Sequence, residues 1–101
     1  MDILIKLITI HFLCDFPFQS EYIATKKATD PIVMIAHGCV HAGLSWWVVS
    51  THPMAWAVLG VIFFSHIGID YIKCAQKINL LQDQILHLSV ITALWAVFLR
   101  P

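Results

Sequence analysis

The sequence predicts an all-α polytopic membrane protein, folded as an antiparallel four-helix transmembrane bundle, and three observations predict it. Of the 101 residues 59% are hydrophobic and only 12% are charged, whereas a soluble domain carries about 25% charged residues. The mean hydropathy is +0.80. The apolar residues are gathered into segments of about the length that crosses a bilayer. At this length one domain is expected, so residues 1–101 form a single four-helix transmembrane domain.

Four apolar segments are expected to be the helices. They cover residues 3–18, 31–50, 54–72 and 84–99. The middle two reach the roughly 20 residues that a bilayer core needs, whereas the outer two are short and need neighbouring helices or local thinning of the bilayer. The alternative is a soluble four-helix bundle, which requires a polar face on each helix that these segments lack.

The segments between the helices are short and polar. Asp30 before Pro31 predicts an N-cap followed by proline at the first helical position. Residues 51–53 are a tight connection and predict that the second and third helices form an antiparallel hairpin. Small residues let membrane helices pack closely, and the glycines inside the predicted helices are Gly38, Gly43, Gly60 and Gly68.

The placement of the lysines predicts the orientation, because positively charged loops stay in the cytoplasm. The lysines of the connections lie in the first and third, and the middle connection has no Lys or Arg. Both termini and residues 51–53 are therefore expected outside a bacterial inner membrane. Lys6 and Arg100 run against this orientation unless they reach the outer interface. The four cytoplasmic lysines are Lys26, Lys27, Lys73 and Lys77.

Charge and cysteine content exclude several classes of protein. Six Lys and Arg balance six Asp and Glu, and a nucleic-acid-binding module should be strongly basic. No nucleic-acid partner is therefore expected. Three cysteines cannot all pair and show no C-x-x-C spacing, so a disulfide scaffold is not expected.

Ionisable residues inside the apolar segments carry the functional signal, because such residues are costly in a membrane and usually serve a function. They occur as pairs spaced four residues apart, which places both members on one helix face. With alternating helix directions and about 1.5 Å per residue, every pair falls within roughly 15 Å of the cytoplasmic interface. The pairs are His11 and Asp15, His37 and His41, His66 and Asp70, and Asp83 and His87.

This arrangement predicts a metal centre, since helix bundles build metal sites from inward-facing histidines and carboxylates. Imidazole and carboxylate suit Zn²⁺, with Fe²⁺ or Mn²⁺ as alternatives. Asp15 or Asp83 is the expected general base, and Lys73 is expected to meet a headgroup charge. Either two ions bind, or one ion binds and the surplus groups support it. The predicted metal ligands are His11, His37, His41, His66, Asp70 and His87.

The alternative is that these side chains are hydrogen-bonding groups that hold membrane helices together. Such contacts are worth about 0.6 kcal/mol each. A stabilisation this small poorly offsets the free-energy cost of inserting this many ionisable groups into a membrane. The sequence therefore favours the metal centre.

Four motifs carry a resemblance that spans nearly the whole chain. H-F-L-C-D-F-P-F-Q (11–19), H-G-C-V-H (37–41), H-I-G-I-D-Y-I-K (66–73) and D-Q-I-L-H-L (83–88) occur in the order found in a family of small bacterial and phage membrane proteins catalogued as a domain of unknown function. The chain resembles that family, which implies a small integral membrane protein. More distantly, it is similar to membrane-bound metal-dependent hydrolases of the bacterial inner membrane and to seven-helix ceramidase-like hydrolases, which are longer.

The expected function is a metal-dependent intramembrane hydrolase that acts on a lipid or lipid-linked headgroup from the cytoplasmic face. Two other functions stay open: a transporter of protons or a divalent metal, and a non-catalytic, phage-type protein that binds host membrane proteins. The expected partners are membrane lipids and a lipid-like substrate. A homo-oligomer that completes the pocket is also left open, because four short helices form a small bundle.

Overall fold

The computed structural model describes residues 2–17 and 19–101, and it confirms the all-α class, since these residues contain helices and no strand. The last helix continues directly into a π-helical turn, Trp95–Leu99. The helices are α1 (Asp2–Asp15), α2 (Glu21–Lys26), α3 (Pro31–Val48), α4 (Ala55–Cys74) and α5 (Leu80–Leu94).

Side-chain caps set the first residues of α3 and α5. The Ile32 amide donates to Oδ1 of Asp30 at 3.0 Å, with Pro31 at the first helical position, as predicted. Helix α5 begins at Leu80 rather than at residue 84, because Asn79 and Gln82 form a capping box. The backbone amide of Gln82 donates to the side-chain oxygen of Asn79 at 2.8 Å, and the backbone amide of Asn79 donates to the side-chain oxygen of Gln82 at 3.0 Å. The earlier start places Asp83 inside the helix.

Helix α2 lies where the sequence predicted only a polar connection. Ser20 caps it by accepting a hydrogen bond from the Ile23 amide at 3.2 Å. The helix contacts α3, so the connection is folded back onto the other helices. The first apolar segment, expected to run to residue 18, is helical only to Asp15, and Phe18 lies outside the described residues.

Helices α3 and α4 form the antiparallel hairpin that the sequence predicted. Gly38, early in α3, lies against Ile67, late in α4. At the other end the rings of Trp46 and Trp56 are 5.4 Å apart. Helix α5 contacts α4, and α1 contacts both α3 and α5. Each of the four long helices therefore contacts two of the others.

Polar and apolar residues are distributed in the opposite way from a soluble protein. The histidines and aspartates of the four pairs are buried, while large apolar side chains such as Ile32, Trp56 and Phe64 are 70–77% exposed. Three helical stretches are long and apolar enough to cross a membrane: Pro31–Val48, Ala55–Cys74 and Leu80–Leu99. The last qualifies because α5 starts early and the π-helical turn extends it. Helix α1 has 14 residues and is shorter.

Only one of the four glycines lies at a tight helix contact. A Cβ atom on Gly38 would lie 2.8 Å from Cγ1 of Ile67, closer than real Cβ contacts allow. A Cβ atom on Gly43, Gly60 or Gly68 would meet nothing within 4 Å. The prediction that all four mark close packing is therefore right for Gly38 and wrong for the other three.

We expect Gly38→Ala to lower the melting temperature of the detergent-solubilised protein, because overpacking costs about 1–3 kcal/mol and exceeds the helix-propensity gain of alanine. The matched control is Gly43→Ala in the same helix. It should leave the melting temperature unchanged or raise it. Equal melting temperatures for the two variants would contradict the close α3–α4 contact.

Candidate metal centre

The structure brings all eight residues of the four pairs together. Those of α1 and α4 lie toward the C-terminal ends of their helices. Those of α5 lie in its N-terminal half, and those of α3 lie on either side of its midpoint. Because neighbouring helices run in opposite directions, these positions meet at one level. Each residue is at most 8% exposed. The eight are His11, Asp15, His37, His41, His66, Asp70, Asp83 and His87.

Asp15 lies at the centre of the first half of the cluster. Its Oδ1 is 3.0 Å from Nε2 of His41, 3.5 Å from Nε2 of His37 and 3.8 Å from Nε2 of His66. Its Oδ2 is 3.4 Å from Nε2 of His11. The two oxygens of this carboxylate therefore face different histidines.

Asp70 repeats this arrangement from the opposite helix. Its Oδ2 is 3.3 Å from Nε2 of His37 and 3.2 Å from Nε2 of His66. Its Oδ1 accepts a hydrogen bond from Nε2 of His87 at 3.1 Å. Asp83 completes the cluster, with Oδ1 placed 3.4 Å from Nε2 of His87.

Several of these atoms are close to one another without forming hydrogen bonds. Within residues 2–17 and 19–101, six buried side-chain nitrogens and oxygens lack a hydrogen-bond partner. Five belong to the cluster: Nε2 of His37, His41 and His66, and Oδ1 of Asp15 and Asp83. The sixth, Nε1 of Trp46, lies away from the cluster. A buried polar atom without a partner costs roughly 1–3 kcal/mol. A bound ion could satisfy these five atoms together.

Imidazole nitrogens and carboxylate oxygens that converge in this way are a donor set for a divalent metal ion. Three groups have ligand atoms within 4.8 Å of one another: His11, Asp15, His41 and His66; His37, His66 and Asp70; and Asp15, Asp83 and His87. The buried cluster can therefore hold a metal ion. All six predicted ligands belong to these groups, and so do both candidate bases.

The charge of the cluster also suits a cation. It contains the three carboxylates of Asp15, Asp70 and Asp83 and one ammonium group, that of Lys27. With neutral imidazoles, the form that binds metal, the carboxylates exceed the ammonium by two negative charges. A divalent cation would balance them.

Gln84 is a residue whose role sequence reasoning missed. Its side-chain oxygen accepts from Nε2 of His11 at 2.9 Å, and its Nε2 donates to Oδ2 of Asp15 and to Oδ2 of Asp83, each at 2.9 Å. One amide thus orients three members of the cluster. The sequence places Gln84 directly after Asp83, but no spacing rule predicts its contact with His11.

Lys27 is the second residue that was missed, because the sequence predicted it only as a loop lysine. Its ammonium group donates to Oδ2 of Asp70 at 3.1 Å and to Oε1 of Gln19 at 2.9 Å, and its side chain is 14% exposed. Gln19 in turn donates to the backbone carbonyl of Asp15 at 3.0 Å. Lys73, the predicted headgroup contact, is half-buried in the last turn of α4, and its role stays a prediction.

A small cavity adjoins the histidines on the side away from Lys27. It has a volume of about 10 Å³ and is lined by His11, His41, His66 and His87 together with Ser45 and Ser65. A volume of this order holds about one water molecule. Beyond it, the buried residues are apolar and include Leu7, Val58 and Leu94.

The chain belongs to the family described as Protein of unknown function (DUF3307), whose model matches residues 3–101. The match confirms the resemblance to a domain of unknown function that the motifs indicated. No curated protein and no solved structure matches the chain.

Proposed function

We propose that this chain is a metal-dependent intramembrane hydrolase that acts on a lipid or lipid-linked headgroup at the cytoplasmic face of the membrane. The observation that carries the proposal is the convergence of three unpartnered imidazole nitrogens on the carboxylates of Asp15 and Asp70. Hydrolysis is favoured over a purely structural metal site because two of these histidines, His41 and His66, line a cavity the size of one water.

The proposal includes the placement of the chain in a bilayer. We infer that α1, α3, α4 and α5 form an antiparallel four-helix transmembrane bundle in a bacterial inner membrane. The apolar exterior and the polar interior support this placement. The connections that carry Lys26, Lys27, Lys73 and Lys77 are then cytoplasmic, and both termini lie outside.

His37, His41 and His66 would bind the metal, with Asp70 and Asp15 as carboxylate ligands. Zn²⁺ fits this donor set, and Fe²⁺ and Mn²⁺ are the alternatives. When bound, such an ion polarises a substrate oxygen and makes water nucleophilic at neutral pH. Gln84 would keep Asp15 and His11 oriented, as hydrogen-bonded neighbours of metal ligands do.

Asp83 suits the general base better than Asp15. In both side chains Oδ1 has no hydrogen-bond partner and Gln84 fixes Oδ2, so the contacts with histidines distinguish them. Asp15 lies within 3.8 Å of three imidazole nitrogens through one oxygen, which suits a ligand. This assignment leaves Asp83 beside the metal and free to accept a proton.

Lys27 would bind the anionic group of the substrate. It is the one lysine that forms an ion pair within the described part of the chain, and its partner Asp70 is a proposed ligand. A substrate phosphate bound next to the ion would place its negative charge beside the ammonium group of Lys27. The partly exposed side chain marks the side from which a headgroup would enter.

Transport of protons or metal is the less favoured function. A path across the membrane needs polar groups along its length. On the far side of the cluster the buried core is apolar, with residues such as Leu7, Val58 and Ile91. The non-catalytic alternative, a phage-type protein that binds host membrane partners, stays a prediction.

The purified protein supplied with Zn²⁺ should hydrolyse a member of a panel of phospholipids and lipid-linked phosphates, measured by mass spectrometry of the products. We expect His66→Ala to lower turnover by more than about 100-fold, because it removes a ligand. His52→Ala, a histidine outside the cluster, is the matched control and should retain full turnover. No turnover across the panel by metal-loaded protein would refute the hydrolase. Hydrolysis that survives in His66→Ala would show that this metal centre is not the catalytic site.

Lys27→Met should raise the KM for an anionic substrate by about tenfold or more, because a hydrogen bond to a charged group is worth roughly 1.5–3 kcal/mol. Its metal content should be unchanged. Lys26→Met, at the neighbouring exposed lysine, is the control and should behave as wild type. If Lys73→Met raises KM and Lys27→Met does not, the headgroup contact belongs to Lys73.

A further inference from the structure

The two carboxylates at the centre of the cluster divide its histidines into two sets. Oδ1 of Asp15 faces His37, His41 and His66, while its Oδ2 faces His11. Each oxygen of this one side chain therefore lies near a different group of imidazoles.

Asp70 makes the same division from the other side. Its Oδ2 faces His37 and His66, while its Oδ1 faces His87. The first set is therefore His37, His41 and His66, and the second set is His11 and His87. Both carboxylates lie between the two sets, with one oxygen toward each.

We propose that the chain holds a dinuclear metal centre in which Asp15 and Asp70 bridge two divalent ions. The first ion is held by the histidines of the first set and the second by those of the second set. This inference rests on the proposed metal centre and specifies its nuclearity. Each ion then has at least four protein ligands, counting one oxygen from each bridge, as carboxylate-bridged centres in helix bundles do.

The two sets of histidines lie close to each other. Ligand atoms of His11, Asp15, His41 and His66 all lie within 4.8 Å of one another, although His11 belongs to one set and His41 and His66 to the other. Two ions bound by sets this close would lie next to each other. In two-metal sites the ions are about 3.5–4 Å apart. Asp83, 3.4 Å from His87, stands beside the second ion as the proposed base.

The two ions should bind with different affinities. The Nε2 atoms of the first set have no hydrogen-bond partner, so the first ion breaks no hydrogen bond of these histidines. In the second set, His11 donates to Gln84 at 2.9 Å and His87 donates to Asp70 at 3.1 Å. A second ion must replace both hydrogen bonds and should bind more weakly.

A dinuclear centre would also need an anion to balance the positive charge of its two ions. Two divalent ions bring four positive charges, against the three carboxylates of Asp15, Asp70 and Asp83. Lys27 adds a further positive charge at Asp70. The loaded site is therefore positive, and an anionic headgroup or a hydroxide would neutralise it.

The test is a titration of the detergent-purified full chain with Mn²⁺, in which binding is monitored by calorimetry and by electron paramagnetic resonance. We expect about two Mn²⁺ per chain in two steps of different affinity. The first addition should give an isolated six-line spectrum. The second should convert it to the spectrum of two magnetically coupled ions, because the bridging carboxylates link them.

His87→Ala should lose the weaker step and keep one uncoupled Mn²⁺, and His52→Ala should bind both ions as wild type does. Should His87→Ala fail to fold, His11→Ala gives the same readout from another helix. Saturation of the wild type at one Mn²⁺, or two ions without coupling, overturns the dinuclear centre and leaves the hydrolase proposal standing. No bound Mn²⁺, Zn²⁺ or Fe²⁺ overturns both.

Discussion

Five imidazoles and three carboxylates share the interior of this small helical chain, and their burial constrains every other part of the structure. Buried charges must be paired, hydrogen-bonded or bound to metal. Here Gln84 and Lys27 satisfy part of the cluster, and five nitrogen and oxygen atoms still lack partners. A divalent ion would satisfy these atoms, and it would also balance the two negative charges that remain when the imidazoles are neutral.

The apolar exterior follows from the same arrangement. The ionisable side chains of the cluster lie inside, and the outer faces of α3, α4 and α5 carry large apolar residues such as Ile32 and Phe64. A soluble helix bundle has the reverse distribution. In a bilayer the apolar faces contact lipid, and the low dielectric constant around the cluster strengthens every electrostatic interaction within it. Membrane insertion and the metal centre are therefore linked proposals.

The parts of the fold and site that the sequence predicted depend on local periodicity. Pairs spaced four residues apart, together with short connections, bring His37 and Asp70 to one level without knowledge of any contact. What the sequence did not predict depends on tertiary contacts. Lys27 reaches Asp70 because α2 folds back onto α3, and Gln84 reaches His11 because α1 contacts α5. Neither contact has a sequence spacing that would indicate it.

Metal content tests the central claim most directly. The measurement is inductively coupled plasma mass spectrometry on protein purified in detergent without a chelator or a metal-affinity tag, beside the double variant His37→Ala/His66→Ala. The proposed metal centre requires about one or two equivalents of Zn, Fe or Mn in the wild type and loss of that metal in the variant. Wild-type protein that is folded and metal-free, even after supplementation with each ion, would contradict it. The buried histidines and aspartates would then be hydrogen-bonding groups or a proton relay.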